Sequence, residues 1–236
     1  MKILRGILAL LPLAITAAVL PMMPEKVPVH YNINGNVDRV GSRAELLLLP
    51  VILLAVAAVS ALAMKHYEKR AESADESEAR SARANRKALG VISLALPALF
   101  GALQCGVLYM TYRNARADSV AVSADFLVRL IFILVGLLCM VLGALMPKSE
   151  RNNLFGFRVT WSMYNDTTWK KSNTLGGIVF IIIGLLLIVT TAFVPVFALT
   201  LLMLGYLLTG TVILSVYAYM VYKEEMAKEE SAKQTR

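Results

Sequence analysis

Leu175 to Tyr222 reads LGGIVFIIIGLLLIVTTAFVPVFALTLLMLGYLLTGTVILSVYAYMVY. A helix needs about 20 apolar residues to cross the hydrocarbon core of a bilayer, and this stretch holds two such runs, Leu175 to Phe193 and Val196 to Tyr222. Only Val194-Pro195 lies between them, so the two helices are expected to be antiparallel neighbours. Gly205, Thr209 and Gly210 are small enough to let helices approach closely. Tyr217, Tyr219 and Tyr222 suit the amphipathic boundary at one end.

Working outward, four further apolar runs appear: Met1 to Leu20, the run from Leu46 to Met64, Leu89 to Tyr112, and Phe126 to Met146. A hydrophobic content of 58% and a mean hydropathy of +0.64 place the chain outside the soluble globular class. The predicted fold class is an all-α polytopic membrane protein with six transmembrane helices. Lys2 and Arg5 ahead of an apolar run would also suit a secretory leader; the run is read as a retained first helix, ended by Pro21 and Pro24. Ser42-Arg43-Ala44-Glu45 has the spacing of a capping box and marks the start of the second span, in which Pro50 is expected to kink the helix. The third span carries Pro97 and Gln104, and Arg129 lies close enough to the outer end of the fourth to snorkel.

The net charge of +8 and pI near 9.6 need no direct nucleic-acid partner, because Lys and Arg gather in alternate loops. Basic loops face the cytoplasm, which places both termini and the loops after the second and fourth spans inside. Lys65 to Lys87 is read as a helical, solvated cytoplasmic connector, with a docking surface for a regulator as the other reading. The organisation is then residues 1–64 as a two-helix unit, 65–87 as connector, 88–222 as a four-helix unit, and 223–236 as a cytoplasmic tail, helical at first and then frayed. Cys105 and Cys139 both lie in apolar runs, so no disulfide framework is implied.

Two loops have a composition beyond that of connectors. Val27 to Val40, VPVHYNINGNVDRV, alternates as a strand does, and Asn34-Gly35 is a hairpin turn signal. A two-residue turn there would set Tyr31 opposite Asp38 and His30 opposite Arg39. The element is expected outside the membrane, where His30, Asn32, Asn34, Gly35 and Asp38 are candidate contact residues; one His and one carboxylate fall short of a metal site. The second loop is Asn152 to Gly177, NNLFGFRVTWSMYNDTTWKKSNTLGG. Asn165 is placed to cap a helix starting near Asp166, and Trp169, Asn173 and Gly177 recur on one face of it. Arg158 would be costly to bury unpaired, and Trp161 and Trp169 suit the headgroup level.

Asn153, Phe155-Gly156-Phe157-Arg158, Thr160-Trp161-Ser162, Asn165, Trp169-Lys170-Lys171 and Leu175-Gly176-Gly177 resemble, in order and spacing, the signature of the SdpI immunity-protein family of bacterial membranes. Phe157 and Val159 stand where Ile and Thr are expected, Met163 where Leu is usual, and Asn173 where many members have His. The exterior element resembles the Pro-x-His-x-Asn-x-x-Gly-x-x-Asp segment, of unknown function, that often accompanies that signature. The resemblance implies a multi-pass protein of the bacterial inner membrane, with a cytoplasmic signature loop over residues 148–177 and no cofactor. It also implies protection from a secreted peptide toxin, in some members with capture of a cytoplasmic transcriptional repressor. The candidate residues of the signature are Asn153, Gly156, Arg158, Thr160, Trp161, Asn165, Trp169 and Asn173.

No nucleophile with an adjacent base, no phosphate-cradling glycine loop and no dense ligand cluster is visible, and His30 and His66 lie in distant loops, so an enzyme is not expected. The other reading is a transporter or binder of a small molecule, anion or lipid, with a cytoplasm-facing cavity floored by Arg158, Asn165 and Trp169. A deep pocket containing Arg158 would favour it; an interfacial anchor would leave Arg158 at the surface.

Overall fold

Where each helix begins and ends follows from local chemistry. Ser42 caps a 3-10 helix, Arg43–Leu47, by accepting from the Ala44 N–H, while the Glu45 carboxylate accepts from the Ser42 N–H at 3.0 Å. This is the reciprocal arrangement that the spacing predicts. Pro50, expected to kink the helix, is the third residue of α2, Leu48–Ser73, just past the change from 3-10 to α helix. In the first turn its missing N–H leaves no carbonyl unmet.

The computed structural model describes residues 2–31, 37–73, 75–115 and 124–234. The helices are α1 (Lys2–Val19), α2, α3 (Glu76–Asn114), α4 (Ala124–Leu145), α5 (Asp166–Phe193) and α6 (Val196–Gln234). Among the described residues, six helices are long and apolar enough to cross a membrane. α2 and α3 continue well past their apolar parts, so the connector is helical on both sides of residue 74. α6 likewise runs unbroken through the expected tail to Gln234.

The chain divides into two compact units: residues Met1–Ala63 with Gly90–Leu134, and Met64–Leu89 with Val135–Arg236. In the first, α1 packs on α3 through a stripe at helical spacing. Pro12 lies over Gly101, and Gln104 Nε2 donates to Thr16 Oγ1 at 3.0 Å and to the Leu46 carbonyl at 2.9 Å. Gln104 is thus a buried pin joining three segments, and its Nε2 donors are met inside the unit as an apolar surrounding demands. Residue numbers rise together along the contact, so α1 and α3 run parallel.

The same unit carries a two-stranded antiparallel hairpin, β1 (Lys26–Tyr31) and β2 (Val37–Ser42). Val27 is buried in a cluster with Met23, Leu46 and Leu108, which seats the hairpin base on the helix ends. His30 pairs with Arg39, as expected, but Tyr31 pairs with Val37 instead of Asp38. The ladder is irregular on both sides of His30, and such an irregularity displaces a residue from its cross-strand partner. The expected Asn34-Gly35 turn lies outside the described residues.

In the second unit, α4 and α5 meet through paired glycines. A Cβ on Gly136 would lie 2.7 Å from the Gly184 carbonyl oxygen, and one on Gly143 would lie 2.6 Å from that of Gly177. Both spacings are seven residues and the numbers run oppositely, so these helices are antiparallel with their backbones in contact. Gly210 of α6 faces Val179 and Ile183 of α5, which is the close approach expected for it, whereas Gly205 has nothing within 4 Å.

Candidate functional site

Between α4 and α5 the chain makes a short 3-10 helix, Met146–Lys148, and then runs without regular structure to Asn165. The order of this segment comes from side chains that bond to backbone. Asn165 is extended and accepts from the Thr168 N–H at 2.8 Å, while Thr168 Oγ1 accepts from the Asn165 N–H at 3.0 Å. These two bonds satisfy donors that a helix start otherwise leaves free. One turn on, Trp169 is 2% exposed and its Nε1 donates to the Ser149 carbonyl at 2.9 Å. Asn173 is fully buried; its Nδ2 donates to the Trp169 carbonyl at 3.0 Å and its Oδ1 accepts from the Phe157 N–H at 2.8 Å.

That last bond requires the chain to pass very close to α5, and Gly156 makes this geometry available. Its φ is +116°, and a Cβ there would lie 2.5 Å from Asn173 Oδ1 and 3.0 Å from the Trp169 ring. Only glycine adopts that backbone without strain, and only glycine leaves that space empty. Gly156, Trp169 and Asn173 are therefore one structural unit.

Asn152 holds the preceding turn. Its Oδ1 accepts from the N–H groups of Leu154 and Phe155, and its Nδ2 donates to the carbonyls of Glu150 and Phe155, all between 2.8 and 3.0 Å. Ser162, also buried, accepts from the Val159 N–H at 3.0 Å and donates to the Phe157 carbonyl at 2.8 Å. Phe157 and Val159 are thus each clamped through the backbone. Arg158, between them, is exposed and forms no hydrogen bond or ion pair with a described residue. Thr160 is exposed as well, and Trp161 is half-buried.

The loop is fastened to α6 by two aromatic pairs. Trp161 meets Tyr219 edge to face with centroids 5.1 Å apart, and Tyr164 meets Tyr222 at 4.9 Å. Tyr164 Oη donates to Glu229 at 2.7 Å, and that bond to a carboxylate holds its phenol above the usual tyrosine range. Lys171 of α5 pairs with Glu224 at 3.4 Å. These contacts explain why α6 continues as helix where fraying was expected.

The connector grips the other side of the loop. Ala79, Ala82, Asn85 and Ala88 are buried, and Asn85 Oδ1 accepts from the Asn153 N–H at 3.0 Å. Arg80 pairs with Asp166 at 3.0 Å and Glu150 at 3.6 Å, Lys87 pairs with Glu150 at 3.3 Å, and Arg151 pairs with Asp166 at 3.5 Å. Arg151 also donates to the Met163 and Tyr164 carbonyls. Here the reading of a wholly solvated connector needs correction: one face of it is packed against the signature loop, because alanine at helical spacing leaves room for a close approach.

The predicted signature residues therefore take different places, Trp161 packing on Tyr219. Gly156, Asn165, Trp169 and Asn173 build the scaffold; Arg158 and Thr160 are presented on it; Asn153 contributes its backbone N–H while its side chain is exposed. Asn165 is used in a cap, Trp169 is packed and bonded, and Arg158 lies at the surface, where the interfacial reading rather than the alternative of a cavity floored by these three residues puts it. Trp169 likewise is a core residue and not a headgroup anchor. Asn85, Ser149, Asn152, Ser162 and Thr168 were not predicted. Of these, Ser162 stood within the quoted signature, and the Asn152-Asn153 doublet gave a signal, since Asn favours turns that its own side chain closes.

In the hairpin, His30 Nδ1 and Asp38 Oδ1 are hydrogen-bonded at 2.6 Å, with side chains 64% and 42% exposed. Arg39 pairs with Glu45 at 2.8 Å. Asn32, Asn34 and Gly35 lie outside the described residues. Among the described residues no three His, Cys, Asp or Glu side chains group as a metal site would need.

Residues 148–223 match the SdpI/YfhL protein family, and residues 7–54 match a domain of unknown function, DUF1648. The chain thus carries an SdpI/YfhL segment behind an N-terminal DUF1648 segment, and the family segment coincides with the signature loop, α5 and most of α6. No curated protein and no solved structure matches the chain.

Proposed function

We propose that this multi-pass protein resides in a bacterial plasma membrane and confers immunity to a secreted antimicrobial peptide, with its hairpin outside and its signature loop in the cytoplasm. The observation that carries the proposal is Arg158. The acids around the loop, Glu150 and Asp166, are already matched to Arg80, Lys87 and Arg151, and the backbone on both sides of Arg158 is clamped by buried side chains. A cation so presented, and left without a partner, is suited to an anionic group on a binding partner. The SdpI/YfhL match over 148–223 supports immunity as the purpose of that contact. The basic loops support the orientation, and the parallel α1 and α3 and the antiparallel α4 and α5 fit alternate crossings. A cytoplasmic repressor docking at Arg158 would make the same protein a receptor.

The test is survival of a toxin-sensitive host expressing the protein. Wild type should raise survival and Arg158→Ala should abolish the gain at equal amounts in the membrane fraction, since an exposed side chain without contacts changes stability by no more than about 0.5 kcal/mol. Unchanged killing with wild type would overturn the immunity reading, and full protection by Arg158→Ala would overturn the assigned role.

A further inference from the structure

Arg5 occupies an unusual place in the first helix. It falls on the inward stripe Arg5, Ala9, Pro12, Thr16, whose other three members are buried. The exposed apolar residues Ile3, Leu4 and Ile7 lie on the opposite side. Three residues inward from Lys2, or about 4.5 Å along the axis, Arg5 turns its guanidinium toward α3. There it lies over Gly90: a Cβ at that position would be 2.9 Å from Nη2. The Gly90 carbonyl accepts from Ser93 Oγ at 3.0 Å and offers Arg5 nothing. The buried Nε has no acceptor, and no described residue accepts from the Nη groups.

A guanidinium has five donors in a rigid fork matched to phosphate and carboxylate. Leaving the buried Nε–H unmet in a helix crevice at the membrane edge is costly unless an anion comes from elsewhere. The missing Cβ at Gly90 leaves room for the head of the side chain, and the rest of the α1 surface at this level, Ile3, Leu4 and Ile7, is apolar and exposed, as a lipid surrounding requires. We propose that Arg5 and the notch at Gly90 form a seat for the phosphate of an anionic lipid headgroup, entering between α1 and α3. The lipid fills the donor fork and ties the start of α1 to α3. This site lies apart from the signature loop and does not depend on the immunity reading.

The test is native mass spectrometry of the full chain, purified in detergent and titrated with phosphatidylglycerol, with phosphatidylcholine, or with inorganic phosphate. Phosphatidylcholine carries the same phosphate but cancels its charge, so retention should favour phosphatidylglycerol. Arg5→Gln should weaken that retention roughly tenfold. Gly90→Leu should do so comparably with no change of charge, Arg5→Lys should fall between because it loses the fork, and Lys2→Gln should change it less than about twofold. Arg5→Lys keeps the test open if either larger change impairs folding. Equal retention by wild type and Arg5→Gln, or by wild type and Gly90→Leu, would overturn the seat. Complete displacement of the lipid by excess inorganic phosphate would overturn the lipid as its occupant.

Discussion

The hairpin and the signature loop are both polar, non-helical segments attached to apolar helices, yet they are held in opposite ways. In the hairpin, the backbone bonds to itself across one ladder, and the side-chain pairs His30–Asp38 and Arg39–Glu45 are exposed. In the signature loop, the N–H groups of Asn153, Leu154, Phe155, Phe157 and Val159 are all held by the side chains of Asn85, Asn152, Asn173 and Ser162. Those four side chains are buried. A buried polar side chain that loses its backbone partner cannot turn to water, so the second construction is rigid and intolerant of change. The first can exchange partners with solvent at little cost. Rigidity of this kind is what allows one exposed residue, Arg158, to be presented in a fixed place.

The sharpest way to break the comparison is at Gly156. Gly156→Ala should destabilise the protein by on the order of 3 kcal/mol, combining a left-handed backbone with a Cβ forced against Asn173 and Trp169. Thermal unfolding in detergent would record it, and a change under about 0.5 kcal/mol would show that the loop is not held as described. Asn173 gives the next largest effect. Asn173→Ala leaves the Phe157 N–H unmet and should cost about 2 kcal/mol. Asn173→His should recover most of that loss, because a neutral imidazole has one acceptor and one donor, the two that Asn173 uses. Protonation removes the acceptor, so the folded state of this variant favours neutral histidine. Its stability relative to wild type is then present above the ordinary histidine value of about 6.5 and is lost as pH falls through the lower folded value. A variant equally stable at acid and neutral pH would show that the acceptor at residue 173 is not what holds Phe157.

The sequence made the helices legible because length and hydrophobicity alone decide what crosses a bilayer. The capping residues Ser42 and Asn165 were legible because their bonds are local, reaching no further than three residues. What stayed hidden depended on contacts between segments far apart in the chain. Asn85 looks like one more polar residue in a charged run, and nothing in that run points to the Asn153 N–H, 68 positions away. Trp169 has the composition of an interfacial anchor, and only the path of the chain past Ser149 and Gly156 makes it core. The glycines at 136, 143, 177 and 184 did carry a signal in their spacing of seven, but glycine is common enough in membrane helices that the spacing by itself does not choose between partners. The hairpin pairing failed at Tyr31 for another reason: the irregularity on both sides of His30 leaves no mark in the alternation of the sequence.

The smallest expected effect belongs to the hairpin, and it sharpens the contrast from the other side. Asp38→Ala removes the carboxylate from His30 but leaves both groups accessible to water. An exposed pair contributes little, typically below about 1 kcal/mol, because water replaces each partner. The main ladder bonds and the buried base around Val27 are untouched by the change. Hydrogen exchange should therefore quicken within residues 26–31 and 37–42 while the amides of Phe157 and Val159 keep their protection. Asn173→Ala should do the reverse, exposing Phe157 and sparing the hairpin. If Asp38→Ala lowered stability as much as Asn173→Ala does, exposure would not be what separates the two elements, and the tolerance assigned to the hairpin would have to be given up.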